Sequence, residues 1–73
     1  MRVSIVERRR LRAERKFLVD LLFRDNGWRH SQTVVISGED PVVPQLEHSA
    51  RAILRQHGRG ERFEWASSGA TAR

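Results

Sequence analysis

The residues with the plainest chemistry lie between Glu7 and Lys16: Arg8, Arg9, Arg10, Arg12, Arg15 and Lys16, with Glu7 and Glu14 as the acids among them. A guanidinium stays charged at any accessible pH, and its planar fork of N–H donors matches a phosphate or carboxylate with paired hydrogen bonds. This short segment holds net +4 of the chain's +5. Such a concentration is the footprint of something acidic: nucleic-acid phosphates, a membrane surface or a carboxylate-rich protein face. Arginine outnumbers lysine thirteen to one in the 73 residues, a choice that suits bidentate contacts.

Catalytic patterns are missing. His30, His48 and His57 have no mutual spacing that builds a metal site on one element, and His48 and His57 fall on opposite faces of one predicted helix. Gly58-Arg59-Gly60 has neither the length nor the lysine of a phosphate-cradling loop. The serines lack a base and an orienting partner. The expectation is a protein that is not an enzyme and takes no cofactor and no metal.

The elements that must position the basic residues follow from periodicity. Placed 100° apart, Arg8, Arg9, Arg12, Arg15 and Lys16 fall within an arc of about 120°. Val6, Leu11, Ala13, Phe17, Leu18, Leu21 and Leu22 fall opposite. Ser4 and Glu7 have capping-box spacing, and Asn26-Gly27 supplies a stop. This predicts a basic N-terminal helix over residues 5–24. Two features fit poorly: Arg10 and Glu14 lie inside the apolar arc, and Ile5, Val19 and Phe23 lie on the basic side. A rival reading makes residues 17–24 a strand that turns at Asn26-Gly27 into a hairpin.

From Trp28 to Ser37 the period becomes two, with Trp28, His30, Gln32, Val34 and Ile36 on one face of a predicted strand. A second, amphipathic helix is predicted over residues 44–57, with Leu46, Ala50, Ile53, Leu54 and His57 on one side and Gly58 as its cap. Residues 61–66 form a second predicted strand with Phe63 and Trp65 on the same side. The fold class expected is therefore α+β: one small domain over residues 1–66 with a basic N-terminal helix, two strands and a second helix. Residues 67–73, small and polar, are expected to be a disordered tail.

Size and composition bound the rest. Seventy-three residues without cysteine make one thin-cored domain with no disulfide. No apolar run reaches spanning length, and Val3 to Val6 is followed at once by charge rather than by a signal-type core. A cytoplasmic location is expected.

Three uses of the basic stripe compete. It is a solvated helix face, or it lies on nucleic-acid phosphates, or it rests on a membrane surface. The last is weakest, because so short a chain needs the apolar side for its own core. Val3, Ile5 and Val6 beside the arginines have two kinds of reading: a structural one, as a short strand at a sheet edge or a hydrophobic staple, or an apolar anchor with a charged rim in a protein contact. Phe63 and Trp65 are expected in the core rather than stacking bases.

In size, charge, lack of cysteine and Val3-Ser4-Ile5-Val6 ahead of the arginines, the chain resembles the small phage-encoded regulators of bacterial transcription, of the Xanthomonas-phage type, that bind host RNA polymerase. That resemblance implies inhibition of initiation by sigma displacement, with suppression of termination as a further activity. It places the polymerase contact on Val3, Ile5, Val6 and the adjacent Arg8, Arg9, Arg12, Arg15 and Lys16. The alternative function is a nucleic-acid-binding module that sets the basic helix face on phosphates.

Overall fold

A computed structural model of the chain describes residues 1–66, so the expected tail at 67–73 lies outside the described residues. Its elements are β1 (Arg2–Leu11), a 3-10 turn (Arg12–Glu14), β2 (Lys16–Asp25), β3 (Trp28–Ser37), α1 (Val42–Gln56) and β4 (Glu64–Trp65). The strands form one mixed sheet in the order β3-β2-β1-β4, with β1 parallel to β4 and the other neighbours antiparallel.

The basic N-terminal helix does not form, and the expected fold class is corrected on this point. Residues 2–25 make a long hairpin, so the rival strand reading of residues 17–24 describes β2 and the edge-strand reading of Val3, Ile5 and Val6 describes β1. The physical reason lies in the residues that fitted the helix badly. At period two, Phe17, Val19, Leu21 and Phe23 share one face, and Val3 and Ile5 continue it on β1 through their partners Phe23 and Leu21. β-Branched and aromatic side chains pack well on a pleated surface. A helix would have turned Ile5, Val19 and Phe23 toward the charges.

Two details shape the hairpin. The register slips between Glu7 and Arg9, so Arg8 is an extra residue opposite β2; such a bulge bends the strand and strengthens its twist. The connection closes at Arg15, whose φ of 53° is left-handed, and the Arg15 N–H donates to the Arg12 carbonyl at 3.1 Å. The β2–β3 turn is tighter. Asp25 faces Trp28, and Gly27 takes φ 74°, a conformation glycine adopts without steric penalty.

Helix α1 lies on one face of the sheet. Leu46, Ala50, Ile53 and Leu54 bury against Val3, Val19, Leu21, Phe23 and Ile36 to form the core. The sequence periodicity places these four helix residues on one face with His57; the four bury, whereas His57 caps the helix and stays exposed. Gln45 fastens the start of the helix: it accepts the Ser37 N–H at 2.9 Å and donates to the Ser37 carbonyl at 2.8 Å. At the other end the Gly58 N–H donates to Arg55 O at 3.0 Å and the Arg59 N–H to Leu54 O at 2.9 Å. With Gly58 at φ 69°, this is a Schellman closure of the orphan carbonyls. The second expected strand is shorter than residues 61–66; β4 joins β1 through Glu64 N–H to Met1 O at 3.0 Å and Ala66 N–H to Val3 O at 2.8 Å. No described helix is long and apolar enough to cross a membrane.

Candidate functional site

The residues singled out from the sequence come apart when β1 and β2 form. Val3 is fully buried in the core at 0% exposure and presents nothing to a partner. Ile5, two residues on and on the same face, is 45% exposed, and Val6, on the opposite face, is 47% exposed. What separates Val3 from Ile5 is cover: Val3 belongs to the buried core beneath α1, whereas an open cleft lies between Ile5 and the start of α1. Ile5 instead lines an apolar cleft of about 300 Å³ with Phe17, Val19, Val42 and Leu46, rimmed by Glu7 and Arg10.

The basic residues divide among two faces and a turn. Directly opposite residues on antiparallel strands share a face, which puts Val6, Asp20 and Thr33 in one row and Arg9, Leu18 and Val35 in the next. This is the face away from α1. Arg8 lies on it too, because its guanidinium donates to Thr33 Oγ1 at 3.2 Å and sits 3.7 Å from Asp20. Thr33 in turn donates to Asp20 Oδ1. Lys16 ends the face, opposite Leu11 and Ser37. Arg10 turns to the other side, where it pairs with Glu7 at 3.2 Å and lies over the Phe17 ring at 5.1 Å. Arg12 and Arg15 belong to the turn, with Arg15 at 3.7 Å from Glu39. The continuous helical stripe is thus replaced by a charged hairpin end. Arg9, Arg12 and Lys16 have no ion-pair partner among the described residues.

The outer side of β1 matters as much as its side chains. β4 pairs only with Arg2 and Val3. The bonds from Glu64 and Ala66 to the carbonyls of Met1 and Val3 show that odd-numbered residues of β1 aim their backbone that way. By alternation Ile5 and Glu7 do so as well, and beyond Val3 no strand pairs there among the described residues.

Periodicity on the helical assumption also passed over three residues. Arg2 faces Arg24 across β1 and β2, and Arg24 faces Arg29 across β2 and β3. They form a row at the end of the helix-free face away from the hairpin turn, beside a depression of about 840 Å³ lined with Ser4, Asn26, Gly27, Trp28 and others. The signal was present in outline, since Arg24 and Arg29 flank Asn26-Gly27 symmetrically. Only a strand register reveals that Arg2 joins them.

Other chemistry-bearing groups are absorbed by structure. The His30 and His57 rings come within 4.3 Å, beside Trp28, with Arg59 over the Trp28 ring at 4.0 Å. His30 Nε2 is 2.9 Å from Gln32 Oε1. This stack seals the C-terminal end of α1 against the sheet. Among the described residues no three His, Asp or Glu side chains gather as metal ligands do. Phe63 and Trp65 meet edge to face at 4.8 Å and pack against the core. The exposed pair Arg55–Glu61, at 2.8 Å, holds the Glu61 carboxyl below its usual range, chiefly through the hydrogen bond from Arg55.

Comparison with protein-family models, with curated proteins and with solved structures finds no match.

Proposed function

We propose that the chain is a non-enzymatic regulator that docks the charged β1–β2 hairpin on a large acidic protein assembly, with bacterial RNA polymerase as the partner to which its resemblance points. The observation that carries the docking is the position of Ile5. A half-exposed isoleucine in an apolar cleft rimmed by Glu7 and Arg10, on a strand edge that no described residue pairs beyond Val3, has the make-up of a contact centre with a charged rim. Val6 supplies a second apolar contact on the other face. Arg8, Arg9, Arg12, Arg15 and Lys16 steer the approach and fix orientation. The action is steric: the bound module inhibits initiation by displacing sigma, and suppression of termination is its further activity.

The test is capture with tagged protein from nuclease-treated bacterial lysate at physiological salt, read by mass spectrometry, beside the Ile5→Asp variant. Stoichiometric polymerase subunits that disappear with Ile5→Asp support the proposal. Capture that vanishes with the nucleic acid overturns it.

One observation favours a second reading, a nucleic-acid module. The helix-free sheet face carries cations at both ends, Arg2, Arg24 and Arg29 at one and Arg8, Arg9 and Lys16 at the other, with Ser4, Leu22, Ser31, Val6, Thr33 and the Arg8-paired carboxylate of Asp20 between. It has no aromatic side chain for base stacking, so duplex phosphates are its natural target. Binding to unrelated duplexes that collapses steeply with salt is the mark of this reading.

A further inference from the structure

We infer that Arg2, Arg24 and Arg29 form a binding site for a phosphate group, separate from the hairpin contact. The register sets them side by side on three adjacent strands, where directly opposite side chains start about 5 Å apart. Like charges so placed repel. None of the three makes a salt bridge or a side-chain hydrogen bond among the described residues. The nearest acids do not neutralise them. Asp25, which also lines the depression, is engaged by Arg59 at 3.4 Å and by the Met1 ammonium at 3.8 Å. Glu64 ends the row beside Arg2 without pairing with it.

A bound anion removes that repulsion. Three forks of N–H donors offer more hydrogen bonds than a carboxylate can accept, whereas a phosphate has three or four oxygens and up to two charges. Ser4 and Ser31, both opposite Leu22 in the next row of the same face, bring hydroxyl donors within one strand repeat. The β2–β3 turn walls the depression. Lys16 stands eight residues along β2 from Arg24, about 26 Å away, but Ile5 only three residues along β1 from Arg2, about 10 Å away, so the two sites are told apart by variants at Arg24 and Arg29, which take no part in the hairpin contact.

The test is a titration of the full chain with inorganic phosphate at constant ionic strength, sodium chloride making up the balance, followed by NMR of backbone amides and arginine Nε–H groups. The expected result is saturable shifts at Arg2, Arg24 and Arg29, with binding weakened about tenfold or more by Arg24→Gln or by Arg29→Gln and unchanged by Arg51→Gln on α1. Thermal melts add an independent readout. Phosphate raises the wild-type midpoint, whereas Arg24→Gln melts no lower than wild type in chloride and loses the phosphate-dependent rise. A 5′-phosphorylated oligonucleotide and its unphosphorylated twin identify the source. Tighter binding of the phosphorylated strand, displaced by inorganic phosphate, assigns the site to a nucleic-acid phosphate end; equal affinity for the free ion assigns it to small phosphates. Shifts that never saturate, that chloride reproduces, or that survive both arginine variants overturn the inference.

Discussion

Val3 and Ile5 show how little local chemistry decides a residue's part. Both are β-branched, both point to the helix side of β1, and two positions separate a core residue from an open one. Energetics should follow cover rather than hydrophobicity. Leu54, fully buried beneath the sheet, should lose about 2–5 kcal/mol on Leu54→Ala through transfer and cavity terms, whereas Ile5→Ser should lose under about 1 kcal/mol; urea unfolding of the two variants checks the contrast. Glu61 offers a test by pH. Its carboxyl is depressed in the folded chain by the hydrogen bond from Arg55. A depressed folded value stabilises above the unfolded pKa, and that stabilisation is lost as pH falls through the folded value. Wild type should therefore exceed Glu61→Gln in urea midpoint at neutral pH, and the gap should close as the solution is taken below the usual glutamate value of 4.5. A gap that persists in acid would show that the loss is one of packing.

At the scale of elements, β3 and α1 were legible because each obeys one period without interruption. Trp28 to Ile36 alternates cleanly, and Leu46, Ala50, Ile53 and Leu54 hold the helical spacing with Gly58 placed to close it. β1 was not legible as a strand. Its bulge between Glu7 and Arg9 breaks the alternation where the arginines begin, and Arg, Leu, Ala and Glu are good helix formers. The candidate site inherited that error: an arc of five basic residues on a helix became one face and a turn on a hairpin, with Arg10 on the other face. Arg2, Arg24 and Arg29 could not be assembled at all, because their proximity exists only in a strand register. The hairpin turn also depends on a contact from β3's end. The Gly38 N–H donates to the Arg15 carbonyl at 2.7 Å, and a β-carbon at Gly38 would lie 3.0 Å from that oxygen. Gly38→Ala should thus destabilise by about 1–3 kcal/mol and loosen the turn, seen as faster amide exchange at Arg12–Glu14 and Arg15; a variant as stable as wild type would show that the turn shifts freely.

At the scale of the whole molecule, the one helix among the described residues covers one side of the sheet and leaves the other side charged at both ends. The same charges guard the edge of β1 beyond Val3, which no described residue pairs. Edge strands invite pairing with further chains, and a bulge with clustered arginines opposes it. The protein should sediment as a monomer at low salt, and replacing Arg8, Arg9 and Arg10 together by Ser should promote self-association in sedimentation velocity; an unchanged monomer would mean that charge is not what protects the edge. In the docking proposed above these arginines would serve a second end, charge setting encounter rate and orientation while burial of Ile5 and Val6 sets residence. The measurement that tests this most directly is a binding titration of the labelled full chain into purified, nucleic-acid-free bacterial RNA polymerase at physiological salt, run beside Ile5→Asp and Val6→Asp, each checked for a native circular dichroism spectrum. The docking account predicts saturable binding by wild type, abolished by Ile5→Asp, with added salt slowing association more than it speeds dissociation. No binding by the wild type, or wild-type affinity in both variants, would contradict it.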